Sequence, residues 1–143
     1  MPELPEVEVV RAGLEPAVTG ATVLGVTVSD ERALTRHPGD GAAFEAALTG
    51  RVIRSAARRG KFLWLALEPV AGGPSTDAVV GHLGMSGQLL LRAPGAAPER
   101  HERVRIDLTH PEHGELSLVF ADQRTFGSLA LDVAQRWRLL LAP

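Results

Sequence analysis

A proline directly behind the initiator methionine, Pro2, is followed by Glu3. Proline is small enough for Met1 to be removed, which leaves a secondary amine at the new terminus. An α-amino group titrates near pKa ~8, against ~10.4 for a lysine, so a useful fraction is neutral at physiological pH. A neutral secondary amine attacks an electrophilic sugar carbon and forms an iminium, which is covalent catalysis of the Schiff-base kind. Glu3 beside it could donate a proton to the opening sugar ring and later take one back. Each residue also has an ordinary reading. Proline is common at the second position, and glutamates in a first helical turn suit the helix dipole.

Three other places carry residue types with chemical use. Arg51, Arg54, Arg58, Arg59 and Lys61 make the densest basic stretch in the chain. Such charge neutralises phosphates and gives salt-dependent, sequence-independent affinity. It equally suits a solvated strand edge that charge protects from aggregation. Met85, in Gly84-Met85-Ser86-Gly87, puts a large apolar side chain at a turn tip, and Arg124 and Phe126 share a second loop between strands. His82 fits a strand histidine satisfied by the main chain as well as a ligand-facing group. The remaining histidines do not form a metal-ligand set.

The elements that must position these residues follow from periodicity. Residues 4–19 read as a helix, with Leu4, Val7, Val10, Leu14 and Val18 near one face and Pro5 in the tolerant first turn. Pro16 is expected to end the regular helix early, and Gly20 to close the segment. Residues 22–28 are rich in β-branched types and read as a strand. The polar stretch 30–41 reads as a loop, followed by a short helix over 42–48. Residues 51–57 and 61–67 predict a hairpin around Arg58, Arg59 and Gly60, its second strand apolar on both faces and therefore central. Further strands are expected at 78–83, 88–92, 103–109, 115–120 and 127–131; in 103–109, Val104, Ile106 and Leu108 face one side. Eight strands with two flanking helices imply an α+β fold, an antiparallel β-sandwich with helical additions.

The bulk numbers bound the rest. A length of 143 residues allows one domain with a real core. Hydrophobic residues make up 45% and charged residues 22%, an ordinary balance for a soluble globular protein. No apolar run approaches the ~18 residues of a membrane span, and three glutamates stand where a signal peptide would be basic and then apolar. A cytoplasmic, membrane-free location is expected. Cysteine is absent, which excludes disulfides and cysteine-ligated zinc. The net charge of −2 argues against a general nucleic-acid binder, so any such role must rest on where the positive charge lies.

Four segments, in order, resemble the formamidopyrimidine-DNA glycosylases of bacteria. They are Pro2-Glu3-Leu4-Pro5-Glu6-Val7-Glu8, Arg59-Gly60-Lys61-Phe62-Leu63, His82-Leu83-Gly84-Met85-Ser86-Gly87 and Asp122-Gln123-Arg124-Thr125-Phe126-Gly127. In the sister group, the endonuclease VIII-like enzymes, proline and glutamate are usually followed by glycine and an acidic residue or proline. The resemblance covers residues 1–131 and implies the family's N-terminal catalytic domain. It further implies base-excision repair: removal of oxidised purines such as 8-oxoguanine and formamidopyrimidines, then strand cleavage at the abasic site by β,δ-elimination. On this resemblance Pro2 is the nucleophile, Glu3 the general acid/base, Glu6 a residue shaping the pocket, and Lys61 the holder of a phosphate beside the damaged nucleotide. His82 lies near the DNA backbone, with Arg58 and Arg59 adding basic charge. Met85, Arg124 and Phe126 fill the void left by a flipped nucleotide, Arg124 pairing with the orphaned cytosine. The implied partner is damaged double-stranded DNA, with no small-molecule or metal cofactor for the chemistry.

The family's second half carries a helix-two-turns-helix module and usually a four-cysteine zinc finger. Neither is found in this sequence, and residues 132–143 do not resemble the linker expected there; they read as a truncated or frame-shifted terminus. The expectations are weak duplex binding and self-association through the surface left uncovered. Two alternatives to an active glycosylase/lyase stay open: a non-catalytic remnant that binds lesion DNA, and an inactive truncated gene product.

Overall fold

A computed structural model describes residues 4–34, 40–59, 62–69, 77–84, 86–123 and 127–132, with backbone alone at 4–6, 59 and 132. Among the described residues the chain forms, in order, α1 (Leu4–Val18), β1 (Thr22–Val28), a 3₁₀ turn (Glu31–Leu34), α2 (Gly41–Leu48), β2 (Ile53–Arg59), β3 (Phe62–Leu67), β4 (Ala78–His82), β5 (Gly87–Arg92), β6 (Glu102–His110), β7 (Gly114–Asp122) and β8 (Ser128–Asp132). The strands make two four-stranded sheets with orders β1-β6-β7-β5 and β2-β3-β4-β8. Every pairing is antiparallel. The expected α+β sandwich is therefore the architecture of the chain.

Alternation explains how the layers form. In β6, Val104, Ile106 and Leu108 are buried while Arg103, Arg105 and Asp107 lie on the opposite face. They meet Leu118 and Phe120 of β7 and, from the second sheet, Leu63, Leu65, Leu67, Val79, Leu129 and Leu131 in one apolar core. β3 has β2 on one side and β4 on the other, the central place its two apolar faces predicted. α1 lies along β2 and buries Val7, Leu14 and Val18. α2 spans an edge strand of each sheet, β1 and β8, and seats Phe44 and Leu48 in the core. Asp40 caps it by accepting a 2.9 Å hydrogen bond from the Ala43 amide.

Three local expectations are corrected. α1 runs through Pro16 to Val18. Proline there removes one hydrogen bond near the helix end, and the burial of Leu14 and Val18 on either side holds the last turn in place. The loop read over 30–41 contains a 3₁₀ turn, because Ala33 and Leu34 are pulled into the core. In the hairpin, Arg58 and Arg59 belong to β2, so the strand runs two residues further than its apolar pattern suggested.

Just past the C-terminal end of α1, Gly20 turns the chain with φ of 89°. His110 pins this corner. Its Nδ1 accepts the amides of Glu112 and His113, which leaves the proton on Nε2 to donate to the Thr19 carbonyl at 2.9 Å. Among the described residues no helix is long and apolar enough to cross a membrane.

Phe44 has no exposed surface and joins α2 to both sheets. Phe44→Ala should lower the unfolding free energy by about 3–5 kcal/mol in urea titration. A loss below about 1 kcal/mol would contradict this packing, since even a well-relaxed large-to-small core change costs more.

Candidate active site and nucleic-acid interface

One row of the second sheet organises the functional candidates. Arg59 pairs with Phe62, Phe62 with His82, and His82 with Ser128. The end of β2, the start of β3, the end of β4 and the start of β8 therefore lie side by side at one end of the sandwich. Residues 60 and 61 connect the first two, and the segments 83–87 and 123–127 leave from the other two. The described flanks of the motifs around Lys61, Met85 and Arg124 are thus brought to a common edge by strand register.

The direction of α1 brings the first turn of that helix to the same end. Arg11 reaches the Ala56 carbonyl at 3.4 Å, and one turn earlier Glu8 accepts a 2.9 Å bond from Nε of Arg58. Going backwards along α1 follows β2 forwards, toward Arg59. Glu8 is held twice, because Arg11 also donates to it at 2.6 Å while contacting Glu15 at 2.5 Å. The hydrogen bond from Arg11 lowers the Glu8 pKa most; partial desolvation opposes it, and the Arg58 bond adds to the lowering, so Glu8 titrates at about 2 instead of 4.5. The same pairing holds the Arg11 guanidinium further above its ordinary value.

The connections β4→β5 and β7→β8 both pass from one sheet to the other, and they run next to each other. Gly87 pairs with Asp122 in the first sheet while His82 pairs with Ser128 in the second. Asp122 is buried, and its two carboxylate oxygens accept from different crossovers: Oδ1 from the Ser86 hydroxyl at 2.6 Å, Oδ2 from the Gly127 amide at 2.7 Å. Glycine is required at both positions. A Cβ on Gly87 would lie 2.2 Å from the Leu83 carbonyl oxygen, and one on Gly127 would lie 2.6 Å from that of His82. His82 packs its ring against Phe62, with centroids 5.1 Å apart, and its Nδ1 accepts the Gly84 amide at 3.2 Å. In the neutral ring the proton is therefore on Nε2.

Of the residues singled out in the sequence, Arg58 and His82 are placed with their side chains. Arg58 faces α1 through its bond to Glu8, and His82 sits at the root of the 83–87 crossover. Glu6 lies in α1 and Arg59 ends β2, each with backbone described. Pro2, Glu3, Lys61, Met85, Arg124 and Phe126 lie outside the described residues, as does the tail beyond 132. Arg51, counted in the basic stretch, points elsewhere: it pairs with Asp77 at 3.0 Å and donates to the Glu68 carbonyl. Among the described residues no three His, Asp or Glu side chains cluster to hold a metal ion.

Sequence reading gave no role to Glu8, Arg11 or Asp122. Glu8, Arg11 and Glu15 have helical i, i+3 and i, i+4 spacing, a legible signal for a bridged helix face. Asp122 follows the apolar run Leu118-Val119-Phe120-Ala121, where continued strand structure implies a buried carboxylate in need of donors.

The helix-flanked antiparallel sandwich is a fold found in a solved bacterial FPG protein. It superposes on the Lactococcus lactis FPG (MutM) protein in complex with FAPY-dG-containing DNA with a TM-score of 0.78 and 27% identity, covering 96% of this chain and 46% of that one. A complex of the same bacterium's protein with abasic-site DNA gives a TM-score of 0.79, also at 27% identity, covering 97% and 46%. The family model for the formamidopyrimidine-DNA glycosylase N-terminal domain matches residues 1–129. The chain belongs to that family. A formamidopyrimidine-DNA glycosylase of Leifsonia xyli subsp. xyli is 58% identical over 132 residues, 92% of this chain and 43% of the relative. The chain thus spans less than half the length of that relative.

The Glu8 geometry predicts an acid-sensitive anchor for α1. Because the folded pKa is depressed, the contribution of Glu8 is fully present above about pH 4.5 and is lost as pH falls toward about 2. Glu8→Gln should lower the melting temperature at pH 7, with the deficit shrinking below pH 4.5 and vanishing near pH 2. Equal melting temperatures at neutral pH would contradict the anchor.

Proposed function

We propose that this chain is the catalytic half of a bifunctional DNA glycosylase/lyase that acts on oxidised purines in duplex DNA, in the cytoplasm. The observation that supports the reading is the common edge: strand register and the direction of α1 send the described flanks of the family-like motifs to one end of the sandwich. On this reading Met1 is removed and the Pro2 nitrogen attacks C1′ of the damaged nucleotide. The C1′–N bond breaks, and the base leaves with a proton supplied by the solvent or the site. The amine gives up its proton, the C1′–O4′ bond opens as O4′ takes a proton, and the iminium so formed loses a proton at C2′ and expels the 3′ phosphate. Glu3 serves as the general acid/base for ring opening, Glu6 borders the pocket, and Lys61 holds a phosphate next to the lesion. Met85, Arg124 and Phe126 enter the space vacated by the extruded nucleotide.

Charge supports a weak hold on DNA by this chain. Arg58 and Arg51 are engaged within the protein, and the net charge is −2. Binding therefore depends on a small number of phosphate contacts, with a correspondingly modest salt slope.

Borohydride trapping on abasic-site duplex tests the proposal, with intact mass first establishing that Met1 is absent. The unsubstituted chain should form a covalent adduct, Pro2→Gly should abolish it, and Lys61→Ala should retain it at reduced yield. Salt-sensitive binding to lesion DNA without any adduct would replace the lyase with a binding remnant. An adduct that still forms when the terminal nitrogen is blocked by acetylation would move the nucleophile elsewhere.

A further inference from the structure

The two sheet-crossing connections are packed backbone against backbone. No side chain fits between them at Gly127, where a Cβ would fall 2.6 Å from the His82 carbonyl oxygen and 2.8 Å from that of Leu83. Across this seam the Asp122 carboxylate is bonded to both connections, one oxygen to Ser86 and the other to the Gly127 amide. The carboxylate is itself immobilised. Asp122 is 1% exposed, its amide donates to the His101 carbonyl at 3.0 Å, and its carbonyl accepts Nε of Arg103 at 2.9 Å. Arg103 is in turn held by Asp30 at 3.2 Å. A turn that needed only closure would have its partners within itself, as the 2.8 Å bond from the Gly87 amide to the Leu83 carbonyl already provides for 83–87. A buried carboxylate shared between two turns does something else: it makes their positions depend on each other.

We propose that Asp122 is a positioning residue for lesion recognition, which couples the 83–87 and 123–127 crossovers so that the groups they present to DNA enter together. The inference rests on the function proposed above, in which Met85 belongs to one crossover and Arg124 and Phe126 to the other. A void left by an extruded nucleotide is filled only when all its fillers are in place, and a half-filled stack leaves apolar base surface exposed. Coupling the crossovers removes the half-filled states. Ser86 is the adjustable end of the clamp, since its hydroxyl, unlike the Gly127 amide, can be deleted without touching the main chain.

Two measurements on the 143-residue chain test this. Amide exchange followed by NMR reads the coupling without DNA. Ser86→Ala, a change in the first crossover, should speed exchange of the Gly127 amide in the second on the order of tenfold, the effect of loosening one charge-assisted hydrogen bond. Unchanged exchange at Gly127 would overturn the coupling. Borohydride trapping on abasic duplexes reads the positioning. In Ser86→Ala and Asp122→Asn the preference between cytosine and adenine opposite the lesion should collapse toward one, while the trapping rate at saturating DNA changes less than about twofold. A uniform loss of rate with the preference intact would overturn the positioning role and leave a structural one. If Asp122→Asn does not fold, Ser86→Ala carries both arms. Absence of any adduct with the unsubstituted chain would count against the proposed function itself, and the exchange arm would still decide whether the clamp exists.

Discussion

Antiparallel register in the second sheet is the constraint from which the site geometry follows. Because Arg59, Phe62, His82 and Ser128 stand in one row, every connection leaving those strand ends begins at the same edge. A slip of one residue in any pairing would turn the alternating side chains over, and the apolar set Leu63, Leu65, Val79, Leu129 and Leu131 would leave the core. The core therefore enforces the alignment of the edge. α1 adds the fifth segment through a different force, the bridge from Glu8 to Arg58, which orients the helix so that its N-terminus runs out toward the same edge.

Electrostatics at this edge are local and largely internal. Glu8 is shared by Arg11 and Arg58, Asp122 by Ser86 and Gly127, and Asp30 by Arg32 and Arg103. Each group holds chain segments that are distant in sequence, or a turn that lacks regular structure of its own. The cost is that some of the cations counted in the basic stretch already have anionic partners. The net charge of −2 then means that attraction to a polyanion must come from a small patch, with neighbouring surface that repels.

Much of the fold was legible because its signals are periodic. The alternation of Val104, Ile106 and Leu108 placed β6, and the doubly apolar run from Phe62 to Leu67 placed β3 at the centre of its sheet. Errors arose where tertiary burial overrode local preference: at Pro16, which lies inside α1, and at Ala33 and Leu34, drawn into the core from a polar stretch. The strand ends at Arg58, Arg59 and Asp122 were missed for a related reason. Their polar side chains read as loop, whereas the backbone ladder continues through all three, and partners from elsewhere satisfy Arg58 and Asp122. That β4 and β5 belong to different sheets could not be read from spacing, since a four-residue connection serves a hairpin and a crossover equally. The motif residues Pro2, Glu3, Lys61, Met85, Arg124 and Phe126 were singled out by resemblance alone and lie outside the described residues, which include only their flanks.

On the proposed function, DNA engages one end of the sandwich, where α1 and four strand ends meet. Hydrogen exchange read by mass spectrometry, with and without a duplex carrying a stable abasic analogue, tests that claim most directly. Protection should appear together in peptides covering residues 1–8, 57–62, 82–88 and 122–128, and be missing from the turn at 111–113, which lies at the opposite end of β7 from Asp122. Protection confined to 111–113, or spread over the outer face of β6 with the four segments unchanged, would contradict it.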